Sequence, residues 1–224
     1  RIMKTINGFY GIFNPDGKHF YYNLTEESHY GRSAHLKNAV IYDLENDDVV
    51  KEIDCYSFKR HTVSPDGKLY AVWESYDIRR NKENVKIYNA LTGYEFKRFT
   101  AQAVYENYSD IAFSPDGKFL AFSTYNEIKI YNLETETAVM EFDISSGDIS
   151  FSPDGKFLAT SSGTYNLETG KKVNSLDGTA FSPDGKYLAT SSGTYNLETG
   201  KKVNSFKGTA FSPDGKYLAN DDAV

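Results

Sequence analysis

Four histidines, His19, His29, His35 and His61, all fall in the first 61 residues of this 224-residue chain. Imidazoles serve as metal ligands and as general bases near neutral pH. His29 and His35 share one segment, but no acidic partner is fixed beside them at ligand spacing, so they read as a solvated loop rather than a metal site. Gly31-Arg32-Ser33-Ala34-His35 approaches the Gly-x-Ser-x-Gly nucleophile elbow and breaks it at the last position. Gly178 to Gly185-Lys186 approaches a phosphate loop, but the spacing is too long and Tyr187 stands where Ser or Thr is needed; it reads as a β-turn. No His-Glu-x-x-His and no Cys-x-x-Cys occurs. Cys55 is the single cysteine, which excludes an intrachain disulfide and a cysteine-based zinc cluster. The sequence therefore predicts no enzyme, no catalytic residue, no metal and no cofactor.

Carboxylates are plentiful, yet they recur in a way that assigns them to architecture. All six prolines stand in Pro-Asp-Gly-Lys, at Pro15, Pro65, Pro115, Pro153, Pro183 and Pro213. Five follow Ser and the first follows Asn14. The intervals are 50, 50, 38, 30 and 30 residues, so the chain is an array that shortens toward its C-terminal end. Phe151–Ala180 and Phe181–Ala210 differ at three positions only: Phe157/Tyr187, Leu176/Phe206 and Asp177/Lys207. Proline presets φ at the first corner of a turn, Asp bonds local backbone, and Gly supplies positive φ. Gly17, Gly67, Gly117, Gly155, Gly185 and Gly215 are thus the predicted structural turn residues.

The elements around each turn must be strands. Short apolar segments flank it, giving hairpins at 10–22, 60–73, 110–123, 148–161, 178–191 and 208–220 (strands A and B). Strand C is the tyrosine segment, such as Val85-Lys86-Ile87-Tyr88-Asn89. A second turn of the type Leu167-Glu168-Thr169-Gly170 leads to strand D. High aromatic content, with 18 Tyr and 15 Phe, suits such pleated, half-buried surfaces. The fold class is all-β: a β-propeller of about six four-stranded blades forming a single domain over residues 1–224, with compact 30-residue repeats at the C-terminal end. Thirty residues is short for a blade, so a β-solenoid is the alternative for that end. Residues 1–6 resemble a strand D and are placed in the last blade, closing the ring.

FSPDGKYLATSS (Phe181–Ser192) together with Ile128-Lys129-Ile130-Tyr131-Asn132-Leu133 resembles the WD-repeat propellers and the related TolB-type propeller repeats. The resemblance runs over almost the whole chain. It departs from the family where the usual Trp-Asp is Tyr-Asn, with Tyr42-Asp43 the nearest match, and where Gly-His before strand A is missing. It implies an interaction scaffold that binds a protein or peptide. It also leaves open an accessory domain of a larger enzyme such as a serine peptidase, or a structural, self-assembling repeat protein.

Loop lengths locate the expected binding face. A–B and C–D turns lie at one end of an antiparallel blade and stay constant. B–C and D–A connections lie at the other end and are long only in the first three repeats, the usual place for function on a rigid scaffold; drift in loop length is the rival explanation. These loops carry Tyr30, Arg32, Tyr76, Arg79, Arg80 and Tyr105, residue types that anchor protein interfaces and that a merely solvated loop could also hold. A net charge of −6 argues against nucleic-acid and anionic-membrane partners. No apolar run reaches membrane-span length. Single-cysteine usage fits a cytoplasmic location.

Overall fold

The structure, a computed structural model, describes residues 9–25, 36–54, 58–77, 82–102, 110–124, 127–143, 147–175, 178 and 180–219. Every regular element among them is a strand. Two compact units divide the chain, residues 1–104 and 105–224.

The first unit holds two sheets. Sheet 1 comprises β1 (Phe9–Phe13), β2 (His19–Thr25), β3 (Leu36–Asp43) and β4 (Asp48–Asp54); sheet 2 comprises β5 (Phe58–Val63), β6 (Leu69–Asp77), β7 (Lys82–Asn89) and β8 (Glu95–Gln102). Both are antiparallel meanders with strands in chain order. Tyr21, Ile41, Tyr70 and Val72 form one core between them.

The second unit continues the pattern with shorter strands. Sheet 3 is β9 (Asp110–Phe113), β10 (Phe119–Ser123), β11 (Ile128–Asn132) and β12 (Ala138–Phe142). Sheet 4 is β13 (Ile149–Phe151), β14 (Phe157–Thr160), β15 (Gly163–Asn166) and β16 (Lys172–Asn174). Sheet 5 is β17 (Ala180–Phe181), β18 (Tyr187–Thr190), β19 (Gly193–Asn196) and β20 (Lys202–Asn204). Sheet 6 has only β21 (Ala210–Phe211) and β22 (Leu218–Ala219) among the described residues. Among the described residues there are thus five four-stranded sheets and one two-stranded sheet.

The β-solenoid alternative for the C-terminal repeats fails. A solenoid coil would pair strands in parallel with the next coil, whereas residues 149–204 pair antiparallel within each repeat. The two-residue link Ser161–Ser162 enforces this by reversing the chain at once. Thr160 Oγ1 accepts the Ser162 amide at 3.0 Å and donates to the Gly163 carbonyl at 2.9 Å.

Strand periodicity explains why each strand B reads as an unbroken apolar run. Side chains alternate between faces, and in β14 both faces are covered. Leu158 packs into the core shared by sheets 3 and 4, while Phe157 and Ala159 pack into the core shared by sheets 4 and 5. Each repeat here buries its faces against its neighbours in the chain, which is why a copied unit adds stably without new chemistry.

The candidate functional site

The two turn families meet at one end of each sheet. Ser64 shows how the first is held. Its hydroxyl donates to Asp66 Oδ1 at 2.7 Å and accepts the Leu69 amide at 2.9 Å, while its carbonyl accepts the Gly67 amide at 2.8 Å. Ser114, Ser152, Ser182 and Ser212 repeat the hydroxyl pair. Gly17, Gly67, Gly117, Gly155, Gly185 and Gly215 adopt φ between +69° and +72°, where a Cβ is costly. The Ser64 hydroxyl, against the opposing effect of burial and with help from the Lys68 amide, holds the Asp66 carboxyl below its ordinary range. Asp66 is therefore an ionised turn anchor.

The second turn is capped by the residue after the strand C tyrosine. Asn89, Asn132 and Asn166 each accept two following amides on Oδ1, at 2.8–3.1 Å. Asp43 does the same at 2.8 and 2.9 Å. Asn thus fills the capping role with a neutral side chain. The turns are then tied together: the carbonyls of Lys18, Lys68, Lys118, Lys156 and Lys186 accept amides from the second turn at 2.7–2.9 Å. One end of each complete sheet is consequently a rigid, hydrogen-bonded block.

The first turn departs from this scheme in a way the sequence does not reveal. Asn14, buried, donates from Nδ2 to the Tyr21 hydroxyl at 2.6 Å and to the Gly67 carbonyl at 2.8 Å. Tyr21 donates in turn to the Ala90 carbonyl at 3.0 Å and stacks on Tyr70, with ring centroids 4.5 Å apart. The Tyr70 hydroxyl lies 2.7 Å from His61 Nδ1. Burial pushes the Tyr21 phenol up to about 12 and pulls the His61 imidazole down to about 4. This polar thread runs through the core of the first unit, which gives His61 a structural place.

At the same end of sheets 3 and 4 a groove of about 610 Å³ opens. Phe119, Ile130, Val139, Met140, Phe151 and Leu167 supply its apolar walls, and Asp116, Asp154, Lys156 and Glu168 stand among its lining. Between sheets 4 and 5 the equivalent groove, about 700 Å³, is more charged: Lys156, Lys171, Lys172 and Lys186 line it beside Phe157, Val173 and Leu197. The sequence reading missed the apolar groove. Its one sequence signal is local: Ala138 and Met140 stand where the next repeat has Lys172 and Asn174. At the opposite end, sheets 3 and 4 are stitched directly. Ser123 Oγ donates to the Gly147 carbonyl at 2.8 Å, and the Ile149 amide donates to Asp110 Oδ2 at 3.0 Å.

Of the sequence-predicted binding residues, Tyr30, Arg32, Arg79, Arg80 and Tyr105 lie outside the described residues, as do His29 and His35. The backbone of Tyr76 lies in β6, at a register irregularity between Ser75 and Asp77. Among the described residues, no cluster of His, Cys, Asp and Glu is placed to hold a metal ion, and no helix is long and apolar enough to cross a membrane.

A family model described as WD domain, G-beta repeat matches residues 143–167 and 163–197. Residues 143–197 are thus similar to WD repeats. The matched stretch spans β13 to β19, the compact repeats of sheets 4 and 5. No curated protein matches the chain. WD repeats generally form protein-interaction scaffolds and are typically non-catalytic. Their Tyr-Asn here, in place of Trp-Asp, retains the turn-capping oxygen at Asn166.

Proposed function

We propose that the chain is a non-catalytic β-propeller scaffold that binds a protein or peptide partner through the end carrying the B–C and D–A connections. One observation carries this reading. The turn end of the complete sheets is locked by the same hydrogen bonds, whereas the other end varies. Residues 26–35 join β2 to β3, and residues 78–81 join β6 to β7, but Ser161–Ser162 alone join β14 to β15. A locked frame with variable connections at one end is how a scaffold diversifies recognition without losing its fold. Tyr30, Arg32, Tyr76, Arg79, Arg80 and Tyr105 are the binding residues of this reading, because Tyr and Arg bring large contact area and several donors. In it the six sheets form one ring, with residues 1–6 completing sheet 6.

The test is a display selection against the full chain, followed by affinity measurements with the selected partner. Replacing Tyr76, Arg79 and Arg80 together by Ala should weaken binding by about tenfold or more, and replacing Lys118, Lys156 and Lys186 by Ala should leave it within about twofold. Loss of binding in the lysine variant alone overturns the reading and moves the site to the turn end.

A further inference from the structure

We propose that the apolar groove between sheets 3 and 4 binds an extended peptide segment in which apolar side chains are followed by Arg or Lys. This site lies at the turn end and is independent of the loop site above.

The groove's volume, about 610 Å³, falls in the range of ligand pockets. One wall residue comes from a slip that recurs beside the strand C tyrosine in each four-stranded sheet described. Across from Ile130 and Tyr131 the ladder slips, so that Met140 pairs with Ile130 and Ala138 with Tyr131, leaving Val139 as an extra residue. A bulge of this kind re-aims side chains that would otherwise alternate, and both Val139 and Met140 line the groove. Val139 is 46% exposed, an apolar side chain held open to solvent at the mouth.

The apolar lining comes only in part with the architecture. The neighbouring groove between sheets 4 and 5 has the same place in the repeat; Phe157, Val173 and Leu197 line it, but together with four lysines and the carboxylates of Asp154, Asp184 and Glu198. An apolar occupant is thus favoured in the groove between sheets 3 and 4, where Met140 stands in place of Asn174.

An extended occupant follows from the edge. β12 is the outermost strand of sheet 3, with β11 on its inner side only. A peptide running along it can add main-chain hydrogen bonds while alternate side chains drop into the groove, the β-augmentation mode of recognition.

Charge sets the flank. Asp116, Asp154 and Glu168 line the groove against one cation, Lys156, whose Nζ already lies 3.7 Å from Asp154 Oδ2. Against the raising effect of burial, the Ser114 hydroxyl and the Lys118 amide hold Asp116 below the ordinary carboxylate range, so it is charged at neutral pH. Three carboxylates beside an apolar trough, against the single lysine of its lining, complement a cation on the ligand and disfavour an anion.

The experiment is fluorescence anisotropy on the full chain with two labelled octapeptide pools. Both alternate Leu, Ile or Phe with Ser or Thr; one ends in Arg-Arg, the other in Glu-Glu. The basic pool should bind with Kd of about micromolar order and weaken as salt rises from about 50 mM to about 500 mM, and the acidic pool should bind at least about tenfold more weakly. Val139→Glu should weaken the basic pool by about tenfold or more. Glu168→Lys, on an exposed side chain, should weaken it by about threefold and strengthen the acidic pool. The Tyr76/Arg79/Arg80 alanine variant should bind the basic pool as the parent does, which separates this site from the loop site. Equal affinity for both pools, binding by neither, or undiminished binding to Val139→Glu overturns the proposal. Self-association that Val139→Glu abolishes, with neither pool bound, replaces the peptide with a second copy of the chain.

Discussion

The side chain of Asn14 donates to the carbonyl of Gly67 at 2.8 Å, joining the first turn of sheet 1 to the first turn of sheet 2. The other five turns have Ser at this position, and Ser is too short to serve its own turn and a neighbour's together. Asn14 does both, because Oδ1 accepts the Asp16 amide at 3.0 Å while Nδ2 reaches across.

Asn14→Ala should therefore destabilise the first unit by about 1–3 kcal/mol, the cost of leaving buried polar partners unmet. Asn14→Ser should cost less, because a hydroxyl there can take up the role that Ser64 plays toward Asp66 and Leu69. Urea denaturation midpoints order the two variants. Equal midpoints would show that the link to Gly67 and Tyr21 contributes nothing.

Gly67 and Gly155 share the same φ, +71° and +72°, but not the same surroundings. A Cβ on Gly67 would collide with the Asn14 amide, whereas on Gly155 its nearest neighbour is Pro115 Cδ at 3.9 Å. Gly155→Ala should cost about 1–2 kcal/mol, from the left-handed backbone alone. Gly67→Ala should cost about 1 kcal/mol more. In an Asn14→Ala background that excess should vanish; an excess that persists would place its cause elsewhere.

The turns were open to reading in the sequence because their chemistry is local. Pro15, Asp16 and Gly17 each act within three residues, and six copies repeat the message. The long apolar runs were legible as strands for the same reason, since Phe157-Leu158-Ala159 needs two covering faces. Strand direction in the short repeats was not legible from repeat length, which suits a solenoid coil as well as a short meander; the two-residue reversal at Ser161–Ser162 decides it. Asn14 was opaque because its partner Gly67 lies 53 residues along the chain, and His61 because its burial depends on packing rather than on spacing. The groove was opaque for another reason: it depends on how two neighbouring sheets pack, which composition does not record.

Ring closure, part of the proposed architecture, makes its own prediction. Tyr217 occupies the position of Phe157 in its repeat, yet it is 73% exposed where Phe157 is 9% exposed. Sheet 6 has two strands among the described residues, so its apolar surface and its edge want a partner. Residues 1–6, which lie outside the described residues, fill that place in the proposed ring. Deleting them should lower the melting temperature by several degrees, about 2–4 °C for each kcal/mol lost, and drive concentration-dependent aggregation. A deletion variant that melts with the parent and sediments as a monomer would break the ring.

The His61 imidazole, buried against Tyr70, makes stability depend on pH in a defined window. Burial lowers its folded-state value from 6.5 to about 4, so the folded protein holds it neutral where the unfolded chain already binds a proton. Below pH 6.5 protonation favours the unfolded state, and stability falls as pH drops toward about 4, below which both states are protonated and the loss levels off. The size of the effect is on the order of 3 kcal/mol. Carboxylates such as Asp66 and Asp116, whose values lie below 3.8, act at the acid end of this range and beyond it. Their contribution, present above the ordinary carboxylate value, is lost as pH falls through their lowered ones. The two causes separate between pH 6.5 and 5. Over that interval the parent should lose unfolding free energy steeply, and a His61→Gln variant, whose amide can still pair with Tyr70, should stay nearly flat. A variant as pH-sensitive as the parent over that interval would assign the loss to other groups.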